Sequence, residues 1–169
     1  VNVEPPYLGF SPPAITGFTV SATISALLTV ENLTTFHEMA VCRHESPQTL
    51  VLYTGGMPSP SWKRVYKILL SALPIAAKVL HWGDMDAGGF RIADHLAACA
   101  EQCGHSLRLH CMPSADLFLA PSISRRGLVH AEIDQIERIC RSRRWDKASE
   151  WIVKHRVAVE QESVQIAWP

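Results

Sequence analysis

Between Ala26 and Met112 the chain repeats one alternation. A short apolar run rich in branched residues gives way to a glycine or a capping residue, and a helix-period pattern follows. The runs are "ALLTVEN", "QTLVLYTGG", "AKVLHWGD" and "HSLRLHCM". The intervening patterns are "NLTTFHEMAVCR", "SPSWKRVYKILLSAL" and "GFRIADHLAACAEQC". Apolar residues on both faces of a strand, separated by helices, predict a parallel sheet covered on both sides. The first helix has Asn32 or Thr34 as N-cap and puts Phe36, Met39 and Ala40 on one face. The second starts near Pro60, with Trp62, Val65, Ile68 and Leu69 inward, and Gly104 closes the third. The expected fold is α/β and Rossmann-like. It has a central, mostly parallel four-stranded sheet flanked by helices and a helical C-terminal extension made of "LVHAEIDQIERICRSR" and "DKASEWIVKHRVAVEQESVQI".

The Pro-rich stretch "EPPYLGFSPP" cannot be regular structure. Residues 1–25 are therefore expected to be a linker from an N-terminal domain outside this sequence, and residues 26–169 one domain. "TVSATISALLTV" is too short and too rich in Ser and Thr to span a membrane, and reads as strand. No leader-like segment precedes it, and five scattered cysteines suit a reducing cytoplasm. Cys99 and Cys103, i and i+4 on an apolar helix face, read as core packing more than as a zinc site with His105, His110 and Cys111. Formal net charge is zero, which excludes a strongly basic nucleic-acid binder. Nine of the sixteen Lys and Arg residues nevertheless fall between Arg125 and Arg156, giving either a basic stripe or an ordinary solvated helix pair.

In open α/β sheets, sites form at the carboxyl ends of the strands. Glu31 ends the first run, Gly55 and Gly56 the second, and Asp84 and Asp86 the third. Each has an ordinary reading as well: Glu31 and Asp86 as helix caps, Asp84 as a turn residue. Taken together on successive strand ends, they suit a hard divalent cation, which takes oxygen ligands and keeps several waters. Gly83, Gly88 and Gly89 allow close backbone approach to a phosphate, and Arg91 either reaches a phosphate or pairs with Asp94. His37 and His81, near the same rim, are expected to be structural.

A glutamate after the first strand and a DxD after the third resemble the TOPRIM domain of topoisomerases, primases and related nucleases. More narrowly, "LLTVENLTTFHEM", "LVLYTGGMPS", "VLHWGDMDAGGFRIADHL" and the late "VEQES" resemble the C-terminal domain of the JetD family, nuclease subunits of Wadjet defence systems. That domain is similar to the TOPRIM part of the topoisomerase VI A subunit. The resemblance implies a Mg2+- or Mn2+-dependent endonuclease that cuts double-stranded, closed circular plasmid DNA. It also implies a condensin-like JetABC ATPase complex as partner and a homodimer in the full-length protein. Glu31, Asp84 and Asp86 match the metal-binding and catalytic set, with Gly88, Gly89 and Arg91 facing phosphate and Glu160 and Glu162 bracing the site. A tyrosine nucleophile as in topoisomerases is disfavoured, because Tyr7, Tyr53 and Tyr66 fall in a linker, a strand and a helix. The other readings are a catalytically weak dimerisation or assembly module, topoisomerase VI A-like strand cleavage using a tyrosine from a domain outside this sequence, and a DxD phosphotransferase, disfavoured because no GxxxxGK[ST] loop or DxDx[TV] motif is present.

Overall fold

The computed structural model describes residues 7–112 and 125–169. Its main sheet has four parallel strands in the order β2-β1-β3-β4: β1 (Ala26–Val30), β2 (Thr49–Tyr53), β3 (Lys78–Trp82) and β4 (Leu107–Leu109). Helices α1 (Leu33–Val41), α2 (Pro60–Ala72) and α3 (Ala87–Gln102) follow the first three strands, as the alternation predicts. All five residues of β1 are buried, which explains why its sequence lacks a polar face.

Successive side chains on a strand point to opposite faces. Leu27 and Val79 therefore pack under α2 and α3, against Tyr66, Leu70, Leu96 and Ala97. Leu28, Val30, Leu80 and Trp82 point the other way, against Phe36 and Met39 of α1 and against two later helices, α4 (His130–Arg143) and α5 (Asp146–His155). Arg143 of α4 ties this arrangement to α3, its Nε donating to Asp94 Oδ1 at 2.6 Å and its Nη1 to Glu101 Oε2 at 2.7 Å. Part of the expected basic stripe is thus spent on internal ion pairs.

Three expectations are corrected. The last patterned segment is not one helix: α5 stops at Arg156, which is left-handed (φ 55°), and β6 (Val157–Val159) follows. β6 pairs antiparallel with β5 (Arg125–Gly127) in a second, two-stranded sheet. The branched Val157 and Val159 favour extended backbone, and burying Ala158 and Val159 in the core outweighs the helical pattern. Second, "TVSATISALLTV" is strand only from Ala26. Before it, the Ser21 hydroxyl accepts from Thr23 N–H, a local bond that competes with strand pairing. Third, the buried stripe of α2 is centred on Tyr66, Leu69 and Leu70, with Trp62, Val65 and Ile68 only half-buried. Trp62 is held at the margin because its indole N–H donates to Tyr53 O.

Residues 7–25 run irregularly along the domain: the Arg64 guanidinium donates to the carbonyls of Pro12 and Ile15, and Val20 and Ile24 pack on the α2–α3 layer. Cys99 and Cys140 lie in the core, and Cys103 Sγ contacts Lys67 O at 3.6 Å; the five cysteines are free thiols. No helix among the described residues is long and apolar enough to cross a membrane.

Candidate functional site

β1 and β3 are hydrogen-bonded neighbours in register, Val30 opposite Trp82. The residues that follow them are therefore forced together: Glu31 N–H donates to Trp82 O at 3.1 Å, and Asp84 N–H donates to Glu31 Oε2 at 3.2 Å. Asp86 has extended backbone and caps α3, its Oδ1 accepting from Gly88 N–H at 2.7 Å and Gly89 N–H at 2.9 Å. The capping role and a place beside Asp84 coexist, since the cap uses one of its two oxygens. The turn needs Gly89: a Cβ there would stand 2.1 Å from Asp84 O, a backbone atom that cannot step aside. Both glycine N–H groups face Asp86 in this structure.

The third contribution comes from the C-terminal strand. Met85 N–H donates to Val159 O, so β6 runs onto the Asp84–Asp86 turn and delivers Glu160, Gln161 and Glu162 to it. Gln161, 1% exposed, is the clamp. Its backbone N–H donates to Asp84 Oδ1 at 2.7 Å, while its side-chain Oε1 accepts from Asn32 N–H at 2.8 Å. Asn32 in turn caps α1 through Oδ1, and its Nδ2 donates to Glu162 Oε2. Glu160 lies near enough to Asp84 for the Asp84 charge to raise its carboxyl above the usual range. Neither the clamp by Gln161 nor the link through Asn32 was evident in the sequence. The strand-forming "VAV" before Glu160 is the signal that would have placed this segment at the sheet.

Electrostatics follow from this crowding. Burial first, then the Asp84 charge, push the Glu31 carboxyl from 4.5 up to about 7, with Asp86 and Glu160 adding to the effect. Burial raises Asp84 as well, partly offset by the Gln161 N–H, and the Asp84 charge raises Glu160. Among the ion pairs of the described residues, Arg126 of β5, opposite Ala158 in the small sheet, reaches these carboxylates. Its Nη2 lies 3.9 Å from Asp86 Oδ2, and its guanidinium forms a two-pronged pair with Glu132 at 3.0 and 2.9 Å. Arg91 is exposed and has no ion pair among the described residues, Asp94 being taken by Arg143. Arg126, which the sequence pattern does not single out, is thus a basic group beside Asp86.

The donors are hard oxygens, the type Mg2+ and Mn2+ accept. In Glu31, Asp84 and Asp86, one carboxylate oxygen is held by a main-chain N–H and a second oxygen remains for a ligand or proton. A cation among these carboxylates would relieve the mutual repulsion that helps raise Glu31 and Glu160, so the chemistry of the set fits a divalent ion. Among the described residues, however, no three His, Cys, Asp or Glu side chains stand close enough together to hold one as they lie. Of the tyrosines, Tyr66 is buried on α2, Tyr7 is bonded to His37 Nε2 at 3.0 Å, and Tyr53, opposite Val30 at the end of edge strand β2, packs against Phe36.

A family profile described as "Wadjet protein JetD, C-terminal" matches residues 13–168. A curated relative, "Wadjet protein JetD" of Bacillus cereus (strain Q1), is 31% identical over 74 residues; the match covers 42% of this chain and 17% of that protein, so the chain spans only a small part of it. With a family match over nearly its whole length and a four-stranded parallel α/β core, the chain belongs to the family of JetD C-terminal domains of Wadjet proteins.

Proposed function

We propose that this domain is a TOPRIM-like, metal-dependent endonuclease of a Wadjet-type anti-plasmid system in the cytoplasm, hydrolysing phosphodiester bonds of double-stranded, closed circular DNA. The observation that carries the reading is the concentration of Glu31, Asp84, Asp86 and Glu160 at the adjoining carboxyl ends of β1 and β3, with three of the four carboxyl groups raised. Surface carboxylates repel one another into solvent; held together by Gln161 and by backbone N–H groups, they make a site that gains by binding a cation.

In this reading Glu31, Asp84 and Asp86 hold Mg2+ or Mn2+, with Glu160 and Glu162 beside them. The bound ion supplies Lewis-acid polarisation of the phosphate and lowers the pKa of a coordinated water. Gln161 keeps Asp84 in place, and the Gly88–Gly89 turn keeps Asp86 in place. If Glu31 serves instead as the general acid/base, the carboxyl oxygen not bound by Asp84 N–H would take the proton of the attacking water. Arg126, half-exposed at the rim, orients a DNA phosphate, and Arg91 contributes charge from the second turn of α3. The full-length protein would work as a homodimer on DNA presented by a condensin-like JetABC ATPase complex.

The test is cleavage of supercoiled plasmid by the full-length protein with its partner complex in Mg2+ or Mn2+. Glu31→Ala and Asp84→Ala should each abolish cleavage while leaving the circular dichroism spectrum unchanged. Wild-type rates in both variants would overturn the assignment. The open spacing of the carboxylates favours a second reading, an assembly module that binds metal poorly. Calorimetric titration with Mn2+ separates the two, since that module would give no heat.

A further inference from the structure

Beside edge strand β4 runs a groove that the carboxylate site does not use. Arg108 stands opposite Leu80 in the register of β3 with β4, so it faces the side of the sheet covered by α4 and α5. There α4 ends at Arg144, whose left-handed backbone (φ 59°) turns the chain straight into α5. Trp145, at that corner, packs on the apolar clusters of both sheet faces, as Leu109 does, which seats the corner against the β4 edge. Between strand and corner the groove measures about 640 Å3.

Its charge is one-sided. Arg108, Arg144 and Lys147 line it, all exposed and none in an ion pair among the described residues. Arg143 lines it too but is already matched by Asp94 and Glu101. The one acid among the lining residues is Asp146, in the first turn of α5, where the helix's positive end favours a negative charge. In a chain of zero formal net charge, three unmatched cations along one groove are a local excess that a polyanion relieves.

The groove also adjoins the carboxylates. Met112 belongs to both regions: it lines the groove, and its Sδ accepts from Gly83 N–H at 3.2 Å, one residue before Asp84. A phosphodiester held at Glu31, Asp84 and Asp86 is part of a polymer carrying a negative charge about every 3.4 Å along each strand. That strand has to leave the site past one of its flanks, and the carboxylates themselves repel it. The β4–α5 groove is a flank of the opposite sign. An acidic protein segment would satisfy the same cations, but nothing would require it to lie against the reacting carboxylates.

We propose that the β4–α5 groove carries the DNA backbone flanking the cleaved bond, with Arg108, Arg144 and Lys147 each matched to a phosphate. The choice of DNA as the polyanion rests on the nuclease reading; the groove's charge and its place beside Gly83 do not. Arg144 and Lys147, left over from the basic stripe once Arg143 is paired, thereby acquire a use.

Binding of a fluorescein-labelled linear duplex to the full-length protein, followed by anisotropy in Ca2+ over a range of salt, tests this apart from cleavage. Arg108→Gln, Arg144→Gln and Lys147→Gln should each weaken binding several-fold and lower the slope of log affinity against log salt by about 1, and the triple variant by about 3. Arg141→Gln, the same charge change at an exposed residue outside the groove, should leave the slope as it is. All four side chains are exposed, so Tm should not move. An unchanged slope in the triple variant, an equal loss in Arg141→Gln, or a wild type that does not bind the duplex would overturn the proposal. So would groove variants that bind the duplex like the wild type but lose affinity for poly-glutamate, since the surface would then serve an acidic protein. In plasmid cleavage the groove variants should raise KM several-fold, by more than kcat falls. A wild type that binds the duplex through the groove and cleaves nothing counts against the nuclease reading alone and leaves the groove standing.

Discussion

Replacing Glu31 by Gln should stabilise the metal-free protein at pH 8 and do little at pH 5. The Glu31 carboxyl titrates near 7 when folded against 4.5 for the free group, so the folded chain holds a proton that the unfolded chain releases. Stability therefore falls as pH rises from about 4.5 to 7 and stays reduced above. At 1.36 kcal/mol per pH unit the full effect is about 3 kcal/mol. Glu31 is partly open to solvent, and screening reduces this to about 1–2 kcal/mol. The isosteric amide removes the charge and retains an acceptor for Asp84 N–H. Urea unfolding in EDTA at the two pH values measures the difference directly. Mg2+ or Mn2+ should reverse the order at pH 8, because the ion stabilises only a protein with its carboxylate intact. Equal effects of the substitution at pH 5 and pH 8, or a less stable variant at pH 8, would refute the idea that Glu31 is held against its own charge.

Gly89→Ala places a methyl group against Asp84 O and should cost about 3 kcal/mol or more, read as a lowered Tm. Asn32→Ala removes the α1 cap and the link to Glu162; about 1 kcal/mol of stability should be lost in urea titrations. Arg126→Gln should raise KM for plasmid several-fold with a smaller change in kcat, and should reduce the slope of log affinity against log salt by about 1. An unchanged salt slope would remove Arg126 from the DNA contact.

The sheet was legible because its determinants are local. Branched apolar runs, capping residues and glycines recur in an order that allows few topologies, and Glu31, Asp84 and Asp86 stand at strand ends whatever the side-chain detail. The C-terminal part was misread for the opposite reason. "KHRVAVEQES" continues a helical pattern, and only its burial against β5 and the core makes Val157–Val159 a strand. With that strand lost to view, Gln161 was an anonymous polar residue and Arg126 one of nine cations in a stripe. His81 likewise read as an ordinary structural histidine. That its ring is buried against Thr29, with Nε2 lacking a hydrogen-bond partner among the described residues, depends on the register of β1 with β3.

Sequence alone thus determined the α/β class, the parallel order of elements and the rim on which the carboxylates lie, since hydrophobic period and chain punctuation act over a few residues. Tertiary structure decided which groups hold those carboxylates in place. Asp84 meets Gln161 across 77 residues of chain and Arg126 reaches Asp86 across a two-stranded sheet, contacts that exist only after the C-terminal strand has docked on the core.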